Sequence, residues 1–153
     1  MRKSTPVTRM PIRIFFDSSA LFASAYSATG GSRELMRLAF RGQVAICVSR
    51  DVLEETQRNL STKAPELTEV FTFLLALLAP QVVADPSRKE VWEAENHVAQ
   101  KDAPIVAAAK KAKVALLVTL DRKHLLGKPE LERFVGVPIV TPKEALTRIK
   151  PAD

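Results

Sequence analysis

Acidic residues at four widely spaced points carry the chemical interest of this 153-residue chain. Asp17 ends the apolar run IRIFF, Glu54 and Glu55 follow VAICV, Asp102 opens APIVAAAKKAK, and Asp121 follows ALLV after Thr119-Leu120. Carboxylates gathered without histidine or cysteine offer only oxygen donors. That suits hard divalent cations such as Mg²⁺ or Mn²⁺ rather than zinc. Without a cation the acids would repel one another. With one, the site gains a water of lowered pKa, a polarised phosphoryl oxygen and a stabilised leaving oxygen.

Each acid also has an ordinary reading. Asp102 before Ala-Pro-Ile-Val reads first as a helix N-cap, with Pro104 tolerated in the first turn. Asp121 can cap a short helix of its own. Asp17 is harder to dismiss, because Ser18 and Ser19 already supply capping oxygens and an acid against a buried strand needs another reason. Glu54 and Glu55 separate by angle. At about 100° per residue, Val52, Leu53, Thr56 and Leu60 mark the inward face. Glu55 falls at its margin and Glu54 points further out.

The chain carries 23 Lys+Arg against 17 Asp+Glu, a net charge of +6. That excess favours a polyanionic partner, since cations gain by displacing counterions from phosphates; a merely basic soluble protein is the plain alternative. Lys110, Lys111 and Lys113, with Arg122, Lys123 and Lys128, lie close in sequence to the acidic blocks and are the expected substrate guides. Arg33, Arg37 and Arg41 recur at i+4, which reads first as a solvated helix face and second as a contact for RNA or an acidic partner segment. His124 lies near the acids and is a candidate phosphate contact; Thr119 can hydrogen-bond within the site. His97 reads as structural or solvent-facing. Aromatic content is 6%, too little for a base-stacking sheet.

The single cysteine, Cys47, excludes an internal disulfide framework and any multi-cysteine metal site. The N-terminus never opens into the apolar region of a secretory signal, so the expected location is a reducing cytoplasm. The longest apolar stretch, Phe71 to Pro80, is about half the roughly 20 residues a transmembrane helix needs, so no membrane association is expected.

To converge, the acids need a scaffold. Short apolar runs at Ile12–Phe16, Val44–Val48, 81–83, 115–118 and 138–140 read as buried strands. Between them run helical stretches: Ser18 to Tyr26, Ser32 to Arg41, Ser49 to about Leu60, one from Pro65 to Pro80, 87–99, 103–113, a short helix at Asp121–Leu126, and Pro142–Ile149. Strands that lack polar alternation and alternate with helices predict an α/β domain, a parallel sheet of four to five strands in a three-layer α/β/α arrangement. In such sheets ligands bind beyond the carboxyl ends of the strands. Residues 1–11 read as a flexible basic leader, 12–149 as one domain and 150–153 as a tail.

The blocks resemble those of the PIN-domain nucleases over about residues 12–149. FFDSSALF at 15–22 looks like the opening strand and first metal acid, implying Asp17. VSRDVLEETQRNL at 48–60 looks like the second block, whose acid six positions after the serine selects Glu55. KDAPIVAAAKKAKVALLVTLDRKHLL at 101–126 looks like the third and fourth, implying Asp102 and Asp121, and GVPIVTPKEAL at 136–146 resembles the closing strand and helix. Ser18-Ser19 stands where Thr-Asn is frequent, keeping a hydroxyl at Ser18. Arg122-Lys123-His124 follows Asp121 where many members carry a further acid at or near His124. The resemblance implies Mg²⁺- or Mn²⁺-dependent cleavage of single-stranded RNA by these four acids. It also implies the role of toxin in a toxin–antitoxin pair, in a chain somewhat longer than compact VapC-type toxins. A cognate antitoxin and a homodimer follow as expected partners, the dimer served in part by the apolar Phe71–Ala79 helix.

A non-catalytic RNA-binding or regulatory module on the same fold is the competing reading. A phosphatase-like enzyme with Asp17 as nucleophile fits less well, because it wants a second acid two residues on and this chain has Ser19 there.

Overall fold

The structure, a computed structural model, describes residues 10–149. Nearly all of the expected 1–11 leader and all of the 150–153 tail therefore lie outside the described residues. In chain order the elements are β1 (Ile12–Phe16), α1 (Ser18–Tyr26), α2 (Gly31–Phe40), β2 (Val44–Val48), α3 (Arg50–Lys63), a 3₁₀ turn (Pro65–Leu67), α4 (Thr68–Leu78), β3 (Gln81–Val82), α5 (Arg88–Ala94), α6 (Ala103–Ala112), β4 (Leu116–Val118), α7 (Pro129–Val135), β5 (Ile139–Val140) and α8 (Pro142–Ile149).

Five strands form one parallel sheet in the order β3-β2-β1-β4-β5. Phe15 of β1 lies opposite Cys47 on one side and Leu117 on the other. Ile14, Phe15, Phe16, Val48 and Leu117 are fully buried, the continuous apolar strands of a sheet covered on both faces. Helices α1–α4 and α8 pack together, and α5–α7 form the other group. Right-handed crossovers place the two groups on opposite faces, giving the three layers. The chain leaves β1 toward β2 and leaves β4 toward β5. The strand order thus reverses between β1 and β4, and the crevice opens at their carboxyl ends.

Three expectations are corrected. Ser18 and Ser19 do not cap α1; Asp17 does, its Oδ1 accepting the Ala20 amide at 2.9 Å. Residues 122–127 form turns rather than a helix. There Asp121 Oδ1 takes the Lys123 and His124 amides, its backbone oxygen takes those of Leu125 and Leu126, and Gly127 turns away at a positive φ of 72°. Helix α7 was not expected, although Pro129 at its start and Gly136 at its left-handed end are the usual boundary residues. No helix among the described residues is long and apolar enough to cross a membrane.

Candidate active site

Asp17 leaves the end of β1, and its amide extends the sheet by bonding Val118 O of β4 at 3.1 Å. Its carboxylate is only 4% exposed. Oδ1 accepts the Ser19 hydroxyl at 2.7 Å as well as the Ala20 amide, and Oδ2 accepts the Thr119 hydroxyl. Ser19 Oγ also receives the Leu120 amide at 2.9 Å, and Thr119 Oγ1 receives that of Asp121 at 3.0 Å. A lattice of hydroxyls thus ties the ends of the two central strands around one acid. Burial nonetheless outweighs these bonds and raises the Asp17 pKa from 3.8 to about 6, with the Asp121 charge adding a smaller push.

Ser49 caps α3 by accepting the Val52 amide, which sets the helix phase. Val52, Thr56 and Leu60 face inward, Glu55 is half-buried and Glu54 exposed, as the angular argument expects. Glu55 Oε1 accepts the hydroxyl of Ser18.

Asp102 stands at the N-cap position of α6 but makes no cap bond. Its Oδ2 is buried without a hydrogen-bond partner among the described residues, while Oδ1 lies 3.9 Å from Lys101 Nζ. Burial raises its pKa, the Asp121 and Glu55 charges push the same way, and Lys101 and His124 oppose them. Asp121 goes the other way: burial raises it, but the amide and ring of His124 and the Lys123 amide outweigh that and hold it below the usual carboxylate value.

One ligand atom from each of Asp102, Asp121 and His124 lies within 4.8 Å of the others. His124 Nδ1 sits 3.2 Å from Asp121 Oδ2, which leaves the opposite ring nitrogen unspent on that contact. Asp17 and Glu55 stand outside this tight trio, linked to it through charge. The set of nearby donors thus includes an imidazole beside the carboxylates. It still fits a divalent cation: Asp102 Oδ2 is a buried carboxylate oxygen with nothing to satisfy it, and leaving one so is costly.

A model of the PIN domain matches residues 13–123. The chain belongs to the PIN-domain family. No curated protein sequence matches it. Among solved structures, PAE2754 from Pyrobaculum aerophilum is 23% identical with a TM-score of 0.62, covering 92% of this chain and 98% of that one. A chain of VapBC2 from Rickettsia felis, bound to a DNA fragment from their promoter, is 15% identical with a TM-score of 0.64, covering 85% and 98%. At these identities the two structures speak for the PIN fold.

On this PIN domain some sequence-based roles shift. Thr119 is fully buried and Ser18 nearly so, and each donates a hydrogen bond to a site acid, Thr119 to Asp17 and Ser18 to Glu55. Arg122 and Lys123 are exposed beside Asp121. Lys110, Lys111 and Lys113 do not lie beside the acids. They sit at the far end of α6, about 12–16 Å along the axis from Asp102 at about 1.5 Å per residue. There Lys110 bonds Phe134 O at 2.6 Å and lies over the Phe134 ring, while Lys111 pairs with Glu90 at 3.1 Å. Arg33 and Arg37 are likewise engaged, on Ser24 O and on Glu34 and Ala28 O. His97 stacks on Phe134 with centroids 4.0 Å apart. Ser19 is the residue that sequence reasoning missed. Its signal is a hydroxyl two positions after a strand-end acid.

Proposed function

We propose that this PIN domain is a Mg²⁺- or Mn²⁺-dependent endoribonuclease that cleaves single-stranded RNA. The observation that supports it best is Asp102 Oδ2, a buried oxygen beside Asp121 and His124 without a hydrogen-bond partner among the described residues. Asp102, Asp121 and Glu55, with Asp17 behind them, are the residues that would hold the cation, and the His124 ring nitrogen adds a softer donor. When bound, the cation supplies Lewis acidity toward the phosphoryl oxygen and a nucleophilic water at neutral pH. Ser19 and Thr119 hold both Asp17 oxygens, Ser18 holds Glu55, and His124 holds Asp121, so the carboxylates are oriented before substrate arrives. Arg122 and Lys123 receive the RNA phosphates beside them. The reaction adds water across one phosphodiester, leaving a phosphate monoester and a hydroxyl.

The toxin role in a type II toxin–antitoxin pair is part of the same reading. Its support is the likeness to a chain of the VapBC2 complex. A cognate antitoxin is the proposed protein partner, and a homodimer could use the exposed Val70, Phe73 and Leu77 of α4. The proposed location is the cytoplasm, where Cys47, buried in β2, stays reduced.

Cleavage of a mixed single-stranded RNA pool with Mg²⁺, Mn²⁺ or EDTA tests the function. Cleavage that stops with EDTA, returns with Mn²⁺ and disappears in Asp102→Asn is expected. An Asp102→Asn protein that cleaves at the wild-type rate sinks the site assignment. Tight RNA binding without any cleavage favours the non-catalytic module.

A further inference from the structure

Beside the acidic cluster, where α1, α2 and α8 meet the end of β4, lies a cavity of about 280 Å³. Ala23, Leu120 and Pro142 give it apolar walls, and the exposed cations Arg122 and Lys143 complete the lining. Neither cation takes part in an ion pair among the described residues.

Helix α2 begins at this cavity without a cap. Gly30 occupies the N-cap position and no side chain bonds the first-turn amides, so the positive end of a ten-residue helix is left open. Helix α8 starts alongside, but its end is closed by the reciprocal bonds of Thr141 and Glu144. Gly31 permits the close approach of the two helices: a Cβ there would lie 3.0 Å from Pro142 Cβ and 3.3 Å from the Lys143 amide nitrogen. A second observation is independent of the helix end. Ser32, only 2% exposed, lines the same cavity, and its hydroxyl has no hydrogen-bond partner among the described residues. Buried hydroxyls are rarely left so unless something else completes them.

These features select a ligand. Apolar walls want a flat apolar body, while the cations and open amides want an anion attached to it. The volume falls just below the roughly 300–1,000 Å³ of sites for drug-sized ligands, which suits one base rather than two. Leu120 and Arg122, which line the cavity, flank Asp121 in the chain, so the cavity lies next to the strand end that carries this acid. We propose that it receives one unstacked nucleotide of the RNA strand next to the scissile phosphate. The base lies between Ala23, Leu120 and Pro142 and is read by the Ser32 hydroxyl, and its phosphate faces Arg122, Lys143 and the start of α2. Single-stranded RNA is read in this manner, through splayed bases with their edges hydrogen-bonded. The proposal rests on the ribonuclease reading and adds to it a source of sequence preference.

The test separates the two. The four nucleoside monophosphates are titrated into the full chain, and backbone amides are followed by NMR. Shifts at Gly31, Ser32 and Arg33 are expected, with one base preferred. Ala23→Leu, which fills the cavity, should weaken that binding at least about tenfold, and Ser32→Ala should erase the preference. Both variants should also flatten the wild-type nucleotide preference around the RNA cleavage point. RNA cleavage without amide shifts overturns the nucleotide site and leaves the nuclease reading standing. Shifts in a protein that cleaves no RNA keep the site and defeat the nuclease reading. Inorganic phosphate shifting the amides as strongly as a monophosphate overturns base recognition, and so does displacement of the nucleotide by a short acidic peptide.

Discussion

Replacing Asp17 by asparagine should make the metal-free protein more stable and the enzyme inactive. The folded chain raises this carboxyl from 3.8 to about 6. The folded state therefore binds the proton more tightly than the unfolded chain, and the associated stability is full below about pH 3.8 and is lost as pH rises through about 6. About two pKa units at about 1.4 kcal/mol each amount to about 3 kcal/mol of destabilisation at neutral pH. Asparagine abolishes that penalty. It keeps an oxygen for the Ala20 amide and the Ser19 hydroxyl, but its NH₂ must face Thr119, whose hydroxyl has to turn and accept. That rearrangement costs about 1 kcal/mol. The net gain near pH 8 is about 2 kcal/mol, or about 4–8 °C in melting midpoint for a chain of this size. The assay is thermal unfolding of wild type and Asp17→Asn in EDTA from about pH 4 to pH 8. The advantage of the variant should grow with pH and level off above about 7. With saturating Mn²⁺ the order should narrow or invert, because only the wild type has its full ligand set. A stability difference that stays flat with pH, or a variant less stable than wild type at pH 8 in EDTA, refutes the reasoning.

Other substitutions probe other parts of the site. Asp102→Asn should remove the thermal stabilisation by Mn²⁺, which in wild type reaches about 2.7 kcal/mol at a hundredfold excess over Kd; differential scanning with and without the ion reads it. His124→Ala should lower Mn²⁺-supported cleavage toward the Mg²⁺-supported rate, because the imidazole favours the softer ion, and the ratio of the two rates measures this. Ser19→Ala should lower kcat about tenfold with RNA affinity unchanged, the effect of losing one buried hydrogen bond to Asp17. Joint replacement of Lys110, Lys111 and Lys113 by alanine should leave cleavage within about twofold, whereas Arg122→Ala should weaken RNA binding and reduce its salt slope by about one.

The sheet was legible because its strands are short and mostly apolar, and Ile12–Phe16 and Val44–Val48 appear with the expected bounds. The neighbourhood of the acids followed from their places beyond those strands, and the family from the resemblance of the sequence blocks around them. What escaped depended on individual bonds. Whether Asp17, Ser18 or Ser19 caps α1 turns on one dihedral, since all three types cap well. The turns after Asp121 replace a helix because that one residue collects four amides, two on its side chain and two on its backbone oxygen. The lysines of α6 looked close to the acids in sequence, yet helical rise carries them to the opposite end. Ser19 and Thr119 lie 100 residues apart and meet only because β1 and β4 are neighbours.

The bonds from Leu120 and Asp121 to the hydroxyls of Ser19 and Thr119 also bear on motion. Both amides belong to a loop, where exchange with solvent is usually fast. Here each is held by a side chain anchored at the middle of the sheet, Ser19 at the start of α1 and Thr119 at the end of β4. Their exchange should be slow and should track the opening of the β1–β4 pair rather than local fraying. The loop that carries Asp121 and the centre of the fold then open together, and a protein that has lost the first has begun to lose the second.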